Sequence, residues 1–312
     1  MNEKAVSGCR LIMPNGSLEQ ASHQLMADAG MPVVRGSSRS YEERVVNESL
    51  FPPPYDKVRL MRPQDIPWVI AEGHAELGFT GNDLIGESAA ANNNSDNIIL
   101  RIFPLSRAGS GGTSLVLAVP EESPITELDQ LNENHVLVTE YPNYVRSLDK
   151  RRNQSPKIRS KIQRCHGSAE SFKGIADAIV DVSETGTSLR ENGWRVIATL
   201  LKKSRLCLIT NTATSESVQR RRIIDSICLL LDSAIAARER RLLKCNVSDA
   251  CLDTVLSRLP AADRPTVSPL VGNSGHAVEA VVLTSEIPKL IVDLKAAGAT
   301  DIFDQPIGHF VP

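Results

Sequence analysis

The stretch ADAIVDVSETGTSLR, residues 176–190, joins a short apolar run to a polar, glycine-containing turn and then to a helix-like segment. The apolar run Ala178–Val182 has the length and the β-branched composition of a buried strand. In a strand–turn–helix unit the turn offers free backbone N–H groups to a ligand, and Gly186 lets the backbone approach that ligand closely. The stretch therefore predicts an α/β fold with an anion site at the carboxyl end of a strand.

Before and after this unit, short apolar runs alternate with segments in which apolar residues recur with the period of an α-helix. This alternation along most of the chain favours an α/β fold class. Ser215–Arg238 predicts a long connecting helix with one apolar face. Beyond it, six segments predict the β-α-β-β-α-β order of a ferredoxin-like unit, and we place a domain boundary near residue 235. The predicted strands before the connector are Cys9–Met13, Val58–Met61, Ile98–Phe103, Ser114–Val119, Val136–Thr139, Ala178–Val182, Arg195–Leu200 and Leu206–Thr210.

The composition of the 312 residues excludes several classes of protein. A hydrophobic fraction of 41% and a charged fraction of 23% are those of a globular protein. A net charge of −2 and an aromatic fraction of 4% argue against a nucleic-acid partner. No apolar run approaches the roughly 20 residues of a membrane span, and the N-terminus lacks the apolar core of a signal peptide. Since the six cysteines form no CxxC pair, we expect reduced thiols and a cytoplasmic location.

Three further turns carry chemistry-bearing residues after predicted strands. They are MPNGSLEQ (13–20), ELGFTGNDLI (76–85) and GSAE (167–170), and Arg62 also stands between a strand and a helix start. Because ligands collect at the carboxyl ends of strands in open α/β sheets, these turns can form one cleft. The six histidines show no metal-ligand spacing, and no Ser/His/Asp order supports nucleophilic hydrolysis.

The hydroxyls of Thr185, Thr187 and Ser188 stand close in sequence to the acids Asp181 and Glu184. Acids repel a bare phosphate, but they suit a ligand that also has vicinal hydroxyls or brings Mg²⁺. A phosphorylated sugar meets both conditions. An ordinary capped turn is the alternative, because Ser188 and Glu191 have the spacing of a capping box.

Taken in order, these segments resemble the ATP phosphoribosyltransferase family in its long form. The resemblance covers nearly the whole chain through RLIMPNGSLEQ, SSRSYE, RPQDIPWVIAEGHAELGFTGNDLI, EYPNYVRS, GSAESFKGIADAIVDVSETGTSLRENGW, PTVSPL and LKAAGATDIFDQPI. It implies a two-lobed catalytic region like that of type II periplasmic binding proteins, followed by a ferredoxin-like (ACT-like) regulatory domain. The lobes it implies are 1–104 with 191–234 and 105–190, and the regulatory domain is 235–312.

The resemblance also implies a reaction, the first step of histidine biosynthesis. N1 of the adenine of ATP displaces pyrophosphate from C1 of phosphoribosyl pyrophosphate (PRPP), with Mg²⁺ present and with feedback inhibition by histidine. Family members of this form associate with themselves, so we expect a hexamer or a dimer. Because the adenine nitrogen is the nucleophile, the resemblance assigns no residue as an acid or base.

Functional residues carry over only where the motifs match. The PRPP loop is Asp181, Glu184, Thr185, Gly186, Thr187 and Ser188, and the two acids are candidate Mg²⁺ ligands. The ATP site and the rest of the cleft match Gly16, Arg39, Arg62, Asp83, Tyr141, Gly167, Ser168 and Glu170, while Thr266 and Ser268 are candidates in the regulatory domain.

One motif departs from the family. Where many members have PKGRL this chain has PNGSL, so that Asn15 and Ser17 replace two cations near the phosphates. We expect Arg39 or Arg62 to compensate.

Three other functions fit parts of the sequence. A two-lobed small-ligand binding module would share the shape without catalysis, and a phosphoribosyltransferase for another base would share the loop. An effector-sensing regulator is the third, although no helix-turn-helix segment is evident.

Overall fold

The computed structural model describes residues 8–37, 40–92, 96–106, 109–110, 113–151, 159–260, 265–272 and 275–312. The chain divides into two compact units. The first comprises the residues up to Ala27 together with Met31–Ser226, and the second comprises Asp28–Gly30 and Ile227–Pro312.

The first unit contains two large sheets, which define lobe I and lobe II, and a small two-stranded sheet of β7 and β8. The elements up to the first crossing between them are β1 (Leu11–Pro14), α1 (Glu19–Asp28), β2 (Val33–Arg35), β3 (Glu42–Val45), β4 (Lys57–Met61), α2 (Ile66–Ala71), β5 (Leu77–Gly81), α3 (Asn82–Asn92) and β6 (Ile98–Ile102). The elements that follow are β7 (Leu105–Ser106), β8 (Gly109–Ser110), β9 (Thr113–Pro120), β10 (Val136–Thr139), α4 (Pro142–Arg151), β11 (Lys161–Arg164), β12 (Ala178–Ser183), α5 (Thr187–Glu191), β13 (Trp194–Ser204) and β14 (Leu206–Thr210).

The two lobes share one plan. Lobe I has the strand order β2-β3-β4-β1-β5-β14-β6, in which β4, β1 and β5 are parallel and β14 is antiparallel to β5. Lobe II has the order β11-β10-β12-β9-β13, in which β11, β10 and β12 are parallel and β9 is antiparallel to β12. In lobe I the parallel set is flanked by the antiparallel strands β3 and β14, and in lobe II it is flanked by the antiparallel strand β9. This confirms the predicted two-lobed α/β fold.

The second crossing between the lobes differs from the expected position. We expected the chain to return to lobe I near residue 190, with 195–210 in that lobe. Instead, β13 pairs antiparallel with β9 from Trp194 to Ser204, through several register shifts. The reason is packing: Ile197, Leu200 and Leu201 contact the lobe II core. The chain therefore crosses at Arg205, between β13 and β14.

The second unit is built on one antiparallel sheet. Two helices precede the sheet in the chain, α6 (Thr212–Glu216) and α7 (Val218–Arg238). The elements that follow are β15 (Arg240–Val247), α8 (Leu252–Leu256), β16 (Thr266–Pro269), β17 (His276–Leu283), α9 (Ile287–Ala296) and β18 (Thr300–Pro306). The sheet order β16-β17-β15-β18 places the first and third strands at the centre, as in a ferredoxin-like unit. The predicted β-α-β-β-α-β order is confirmed.

Burial follows the sequence pattern. In β15, Leu243, Cys245 and Val247 face the core of the second unit, while the residues between them are only partly buried. All six cysteines are free thiols, and burial raises the pKa of Cys9 and of Cys207 to about 12. Within the described part of the chain, no helix is both long and apolar enough to cross a bilayer.

Candidate functional site

The predicted turns of lobe I meet at the carboxyl edge of its parallel strands. The β1–β4 register pairs Pro14 with Met61, and the N–H of Asn15 donates to the carbonyl oxygen of Met61 over 2.8 Å. The turn after β1 and Arg62 after β4 are therefore neighbours. Gly16 takes φ +76°, a left-handed conformation that favours glycine, and begins a short 3₁₀ turn.

These residues line a cavity of about 310 Å³, the lobe I cavity. The predicted Gly16 and Arg62 both contribute to it, but Arg39 lies outside the described residues. The lining comprises Asn15, Gly16, Glu19, Arg35, Ser40, Tyr41, Leu60 and Arg62. Two guanidinium groups thus face one cavity beside the turn that lacks its own cations.

Sequence reasoning missed Arg35. Its Nε donates to Glu43 over 2.8 Å and its Nη2 donates to Glu19 over 2.9 Å. The hydrogen bond to Glu43 is the main cause that raises the pKa of Arg35, so the group stays charged. Arg62, in contrast, forms no ion pair with any residue that the structure describes. No local motif marks Arg35, because it reaches the cavity from the edge hairpin β2–β3.

The turn between β12 and α5 provides the corresponding site in lobe II. Gly186 has φ +75°, and its N–H donates to the Ser183 hydroxyl over 2.9 Å. The hydroxyls of Thr185 and Thr187 lie 2.8 Å apart. Arg190 brings its Nη2 within 3.3 Å of the Thr187 hydroxyl. Hydroxyl donors and a guanidinium are the groups that hold a phosphate.

Beside this turn lies the lobe II cavity, of about 510 Å³. Among the predicted PRPP residues, Glu184, Thr185 and Gly186 line it, together with Arg190 and Arg195. The full lining is Ser114, Val116, Glu121, Ser183, Glu184, Thr185, Gly186, Arg190, Trp194, Arg195, Val196 and Thr199. Arg190 was not predicted, although its place four residues after Gly186 on a one-turn helix is a usable signal.

The predicted GSAE turn meets the predicted PRPP loop. The Ser188 hydroxyl donates to a Glu170 carboxylate oxygen over 3.0 Å, and the Trp194 indole N–H donates to the Glu170 carbonyl over 2.9 Å. Positive φ values at Gly167 (93°) and Ser168 (45°) make the turn that presents Glu170. The GSAE turn and the predicted PRPP loop are therefore in contact.

Asp181 lies below this contact and is almost fully buried. Burial raises the pKa of its carboxyl group to about 7, a hydrogen bond from the N–H of Val182 opposes the rise, and the neighbouring Glu170 adds to it. A hydrogen bond between the Asp181 and Glu170 carboxyl groups requires a proton on one of them. Near neutral pH the pair therefore carries less than two charges.

Asp83 and Tyr141 occupy a different position from the one that the sequence predicts. We expected both to line the cleft. Both side chains are fully buried, and the Tyr141 hydroxyl donates to Asp83 Oδ2 over 2.6 Å. The pair joins α3 of lobe I to the turn after β10 in lobe II. Neither residue lines the lobe I cavity or the lobe II cavity.

The candidate metal and regulatory residues are placed as follows. Among the described residues, no three His, Cys, Asp or Glu side chains are grouped so that they could hold a metal ion. Thr266 and Ser268 lie on the exposed strand β16, and Thr266 pairs with Glu279 of β17.

Comparison with known proteins identifies the family. A family model described as ATP phosphoribosyltransferase matches residues 62–233, and a model described as the HisG C-terminal domain matches residues 237–309. The chain belongs to the ATP phosphoribosyltransferase family.

Several full-length relatives support this membership. ATP phosphoribosyltransferase of Chlorobium phaeovibrioides is 33% identical over 97% of this chain and 97% of its own length. Those of Nitratidesulfovibrio vulgaris and Pelotomaculum thermopropionicum are 34% and 35% identical, over 97% of this chain and 98% and 99% of theirs. The chain is therefore an enzyme of the first step of histidine biosynthesis, a phosphoribosyltransferase.

A solved structure agrees on the fold. The ATP phosphoribosyl transferase (HisG:HisZ) complex from Thermotoga maritima contains a chain that matches 72% of this one and 95% of its own length, with a TM-score of 0.54 and 23% identity. This similarity concerns the fold alone.

Proposed function

We propose that PRPP binds with its 5-phosphate against the turn 183–188 of lobe II, and that ATP approaches from lobe I. The observation that carries this assignment is the convergence of hydroxyls, a left-handed glycine and Arg190 beside the lobe II cavity. The donors suit a phosphate monoester, and the neighbouring Asp181–Glu170 pair offers acceptors for ribose hydroxyls.

On the lobe I side we propose that Arg62 and Arg35 face phosphate oxygens of ATP or of the departing pyrophosphate. The Arg62 guanidinium forms no hydrogen bond with the described residues, so its donors are available to a ligand. The Arg35 guanidinium is held in place by Glu19 and Glu43. Two guanidinium groups on one cavity, one of them held by Glu19 and Glu43, compensate for Asn15 and Ser17. In this proposal Arg35 takes the role that the sequence assigned to Arg39.

The reaction needs no catalytic base in this arrangement. The lone pair of adenine N1 forms a bond to C1 of PRPP while the C1–O bond to pyrophosphate breaks, and a proton then leaves the 6-amino group of the adenine to solvent. The residues of the chain contribute by holding two substrates at a reactive distance and by stabilising the negative charge that develops on the pyrophosphate.

We propose that Mg²⁺ arrives as part of the substrate. The described residues do not form a metal site of their own. Asp181 and Glu184 remain candidate ligands only in the sense that a metal carried by PRPP reaches them, and no step of the reaction is assigned to the ion here.

Two experiments test the site. Pyrophosphate release from a mixture of ATP, PRPP and Mg²⁺ separates a transferase from a binding module of the same shape, since a binding module releases none. A crystal structure with ribose 5-phosphate then locates the phosphate. Density for the phosphate group away from the 183–188 turn would contradict the assignment of the PRPP loop.

We further propose that histidine inhibits the enzyme through the second unit, with Thr266 and Ser268 near the inhibitor, and that the cytoplasmic protein associates with itself as a hexamer or a dimer. The full ferredoxin-like unit and the match to a C-terminal family model support a regulatory domain. Initial rates with and without histidine test the inhibition, and the Thr266→Val variant tests the residue. Light scattering of the full chain gives the number of subunits.

A further inference from the structure

Helix α3 of lobe I carries two buried carboxylates one turn apart. Residues four apart lie on the same face of a helix, so Asp83 and Glu87 point the same way. Asp83 accepts a hydrogen bond from Tyr141 of lobe II on one oxygen and from the Ser204 hydroxyl, 2.8 Å away, on the other. Ser204 is the last residue of β13 and directly precedes Arg205, where the chain crosses from lobe II to lobe I. Asp83 thus joins both lobes at the crossing strand.

Every hydrogen bond that the structure gives to the Glu87 carboxylate comes from lobe II. One oxygen accepts from the backbone N–H of Tyr144 over 2.7 Å. The other accepts from the Asn143 side-chain amide over 2.8 Å and from Arg164 Nη2 over 2.7 Å. The Glu87 side chain is only 11% exposed. Loss of this carboxylate would leave the buried N–H of Tyr144 and two partly exposed side-chain donors of lobe II without their acceptor, which is costly for the buried group.

The Tyr144 ring packs closely against α3. A Cβ atom on Gly86 would lie 3.0 Å from that ring, so a larger residue there would require the ring to shift by a few tenths of an ångström. The Asn82 side chain accepts from the N–H of Arg205 over 2.8 Å, at the crossing itself. Side-chain and backbone contacts together leave little room for the lobes to slide past each other.

The same junction touches both halves of the cleft. Tyr141 follows Glu140, and the β10–β12 register pairs Thr139 with Val180, which places Glu140 beside Asp181. On the other side, α3 begins directly after β5, which runs parallel to β1. A change in how α3 contacts lobe II would therefore change the distance between the lobe I turn and the lobe II turn.

We propose that Glu87 is a positioning residue for phosphoribosyl transfer: through Tyr144, Asn143 and Arg164 it holds lobe II at the distance from lobe I at which the two bound substrates react. This inference rests on the proposed function, since it assumes one substrate site on each lobe. Glu87 contacts neither cavity and acts only through the residues that it holds.

The test compares Glu87→Gln with wild type in the full chain. We expect kcat/KM with ATP and PRPP to fall on the order of tenfold to a hundredfold, because small displacements of reacting groups have effects of that size. The dissociation constant of ribose 5-phosphate, which contacts lobe II alone in this proposal, should stay within about twofold, since each lobe keeps its own fold. A local loss of structure would instead lower kcat/KM and raise the dissociation constant of ribose 5-phosphate together.

Two controls make the result specific. Glu72→Gln removes the same charge from an exposed position at the end of α2 in lobe I and should leave both quantities at wild-type values. Hydrogen exchange of the amide of Tyr144 reports the contact directly, and it should accelerate in Glu87→Gln but not in Glu72→Gln.

Either of two results for Glu87→Gln would overturn the inference. One is a wild-type kcat/KM together with accelerated exchange at Tyr144. The other is a loss of ribose 5-phosphate affinity equal to the loss of kcat/KM. Failure of the proposed function would instead appear in the wild-type protein, as an absence of pyrophosphate release.

Discussion

Lobe I and lobe II accommodate buried carboxylates beside the cleft in different ways. In lobe I, Glu43 is held between Arg35 at 2.8 Å and His23 Nε2 at 2.7 Å. In lobe II, Asp181 lies beside Glu170, and no described cation forms an ion pair with it. Lobe I therefore pairs its acid with the guanidinium of Arg35, while lobe II balances Asp181 with a proton. The comparison indicates that the charge of the lobe II half changes near neutral pH.

The largest expected effect concerns Arg62 in lobe I. Arg62→Ala removes a guanidinium that lines the lobe I cavity and forms no ion pair with a described residue, and kcat/KM should fall by roughly 100- to 1,000-fold, the range found when one donor to a developing anion is lost. Steady-state rates with each substrate varied in turn measure it. Arg59→Ala is the matched control, because Arg59 lies on β4, the strand that ends just before Arg62, is exposed and is absent from the lobe I cavity. Equal losses in the two variants would show that only the general charge of the lobe matters.

The second prediction concerns the proton of lobe II. Because the pKa of Asp181 is raised from 3.8 to about 7, its contribution favours folding below pH 3.8 and is lost as the pH rises through 7. Between pH 5.5 and 8 this group should lower the free energy of unfolding by about 2 kcal/mol. The asparagine of Asp181→Asn cannot ionise. Between pH 5.5 and 8 the free energy of unfolding of this variant should therefore fall by about 2 kcal/mol less than that of the wild type. Chemical unfolding at the two pH values measures the difference.

The opposite slope would contradict this reasoning. If wild type became more stable than Asp181→Asn as the pH rose from 5.5 to 8, a cation would have to pair with the ionised Asp181. Addition of Mg²⁺ at pH 8 then tests whether the metal supplies that charge.

The strands and the domain order followed from the sequence because their signals are local. The apolar runs Val136–Thr139 and Leu206–Thr210 were predicted with the bounds that the structure gives them. The order of the C-terminal segments also decided their topology, since β-α-β-β-α-β has one common arrangement. In contrast, β2 and β3 were not predicted, because strands of three and four residues that include charged side chains carry too short an apolar run to be recognised.

The site was predictable to the same extent. The loop 181–188 and the GSAE turn were singled out because their residues stand together in sequence and match motifs, but the hydrogen bond between Ser188 and Glu170 was not predicted. Arg35 acts at a turn about twenty residues away in sequence, and the buried bond between Asp83 and Tyr141 joins two lobes. Such partners are set by sheet order and by the crossing of the chain, which a linear pattern does not contain. The same reason explains the misplaced second crossing, because nothing in 195–210 marks the residue at which a strand leaves one sheet for another.

A smaller effect on kcat/KM is expected for Arg35, the lobe I cation that lies far in sequence from the turn at Asn15. Arg35→Gln removes the fixed guanidinium, and we expect kcat/KM to fall about tenfold, the effect of one charge-assisted hydrogen bond. Adding Asn15→Lys in that background should restore part of the loss, since a lysine at the turn brings a cation back to the same cavity. In an otherwise wild-type chain Asn15→Lys should gain little. Thermal melts must accompany the rates, because Glu43 loses a partner in Arg35→Gln.

The smallest predicted effect concerns the hydroxyls of lobe II. Thr187→Val keeps the shape of the side chain but removes the group that lies 2.8 Å from the Thr185 hydroxyl and 3.3 Å from Arg190. Since Thr185 and Arg190 remain, the KM for PRPP should rise only about fivefold, the effect of one hydrogen bond of about 1 kcal/mol, with kcat nearly unchanged. Thr254→Val, at an exposed position in the second unit, is the matched control. An increase in the KM for ATP without an increase in the KM for PRPP would contradict the proposed assignment. ATP would then bind at the hydroxyl groups of lobe II, and PRPP at the guanidinium groups of lobe I.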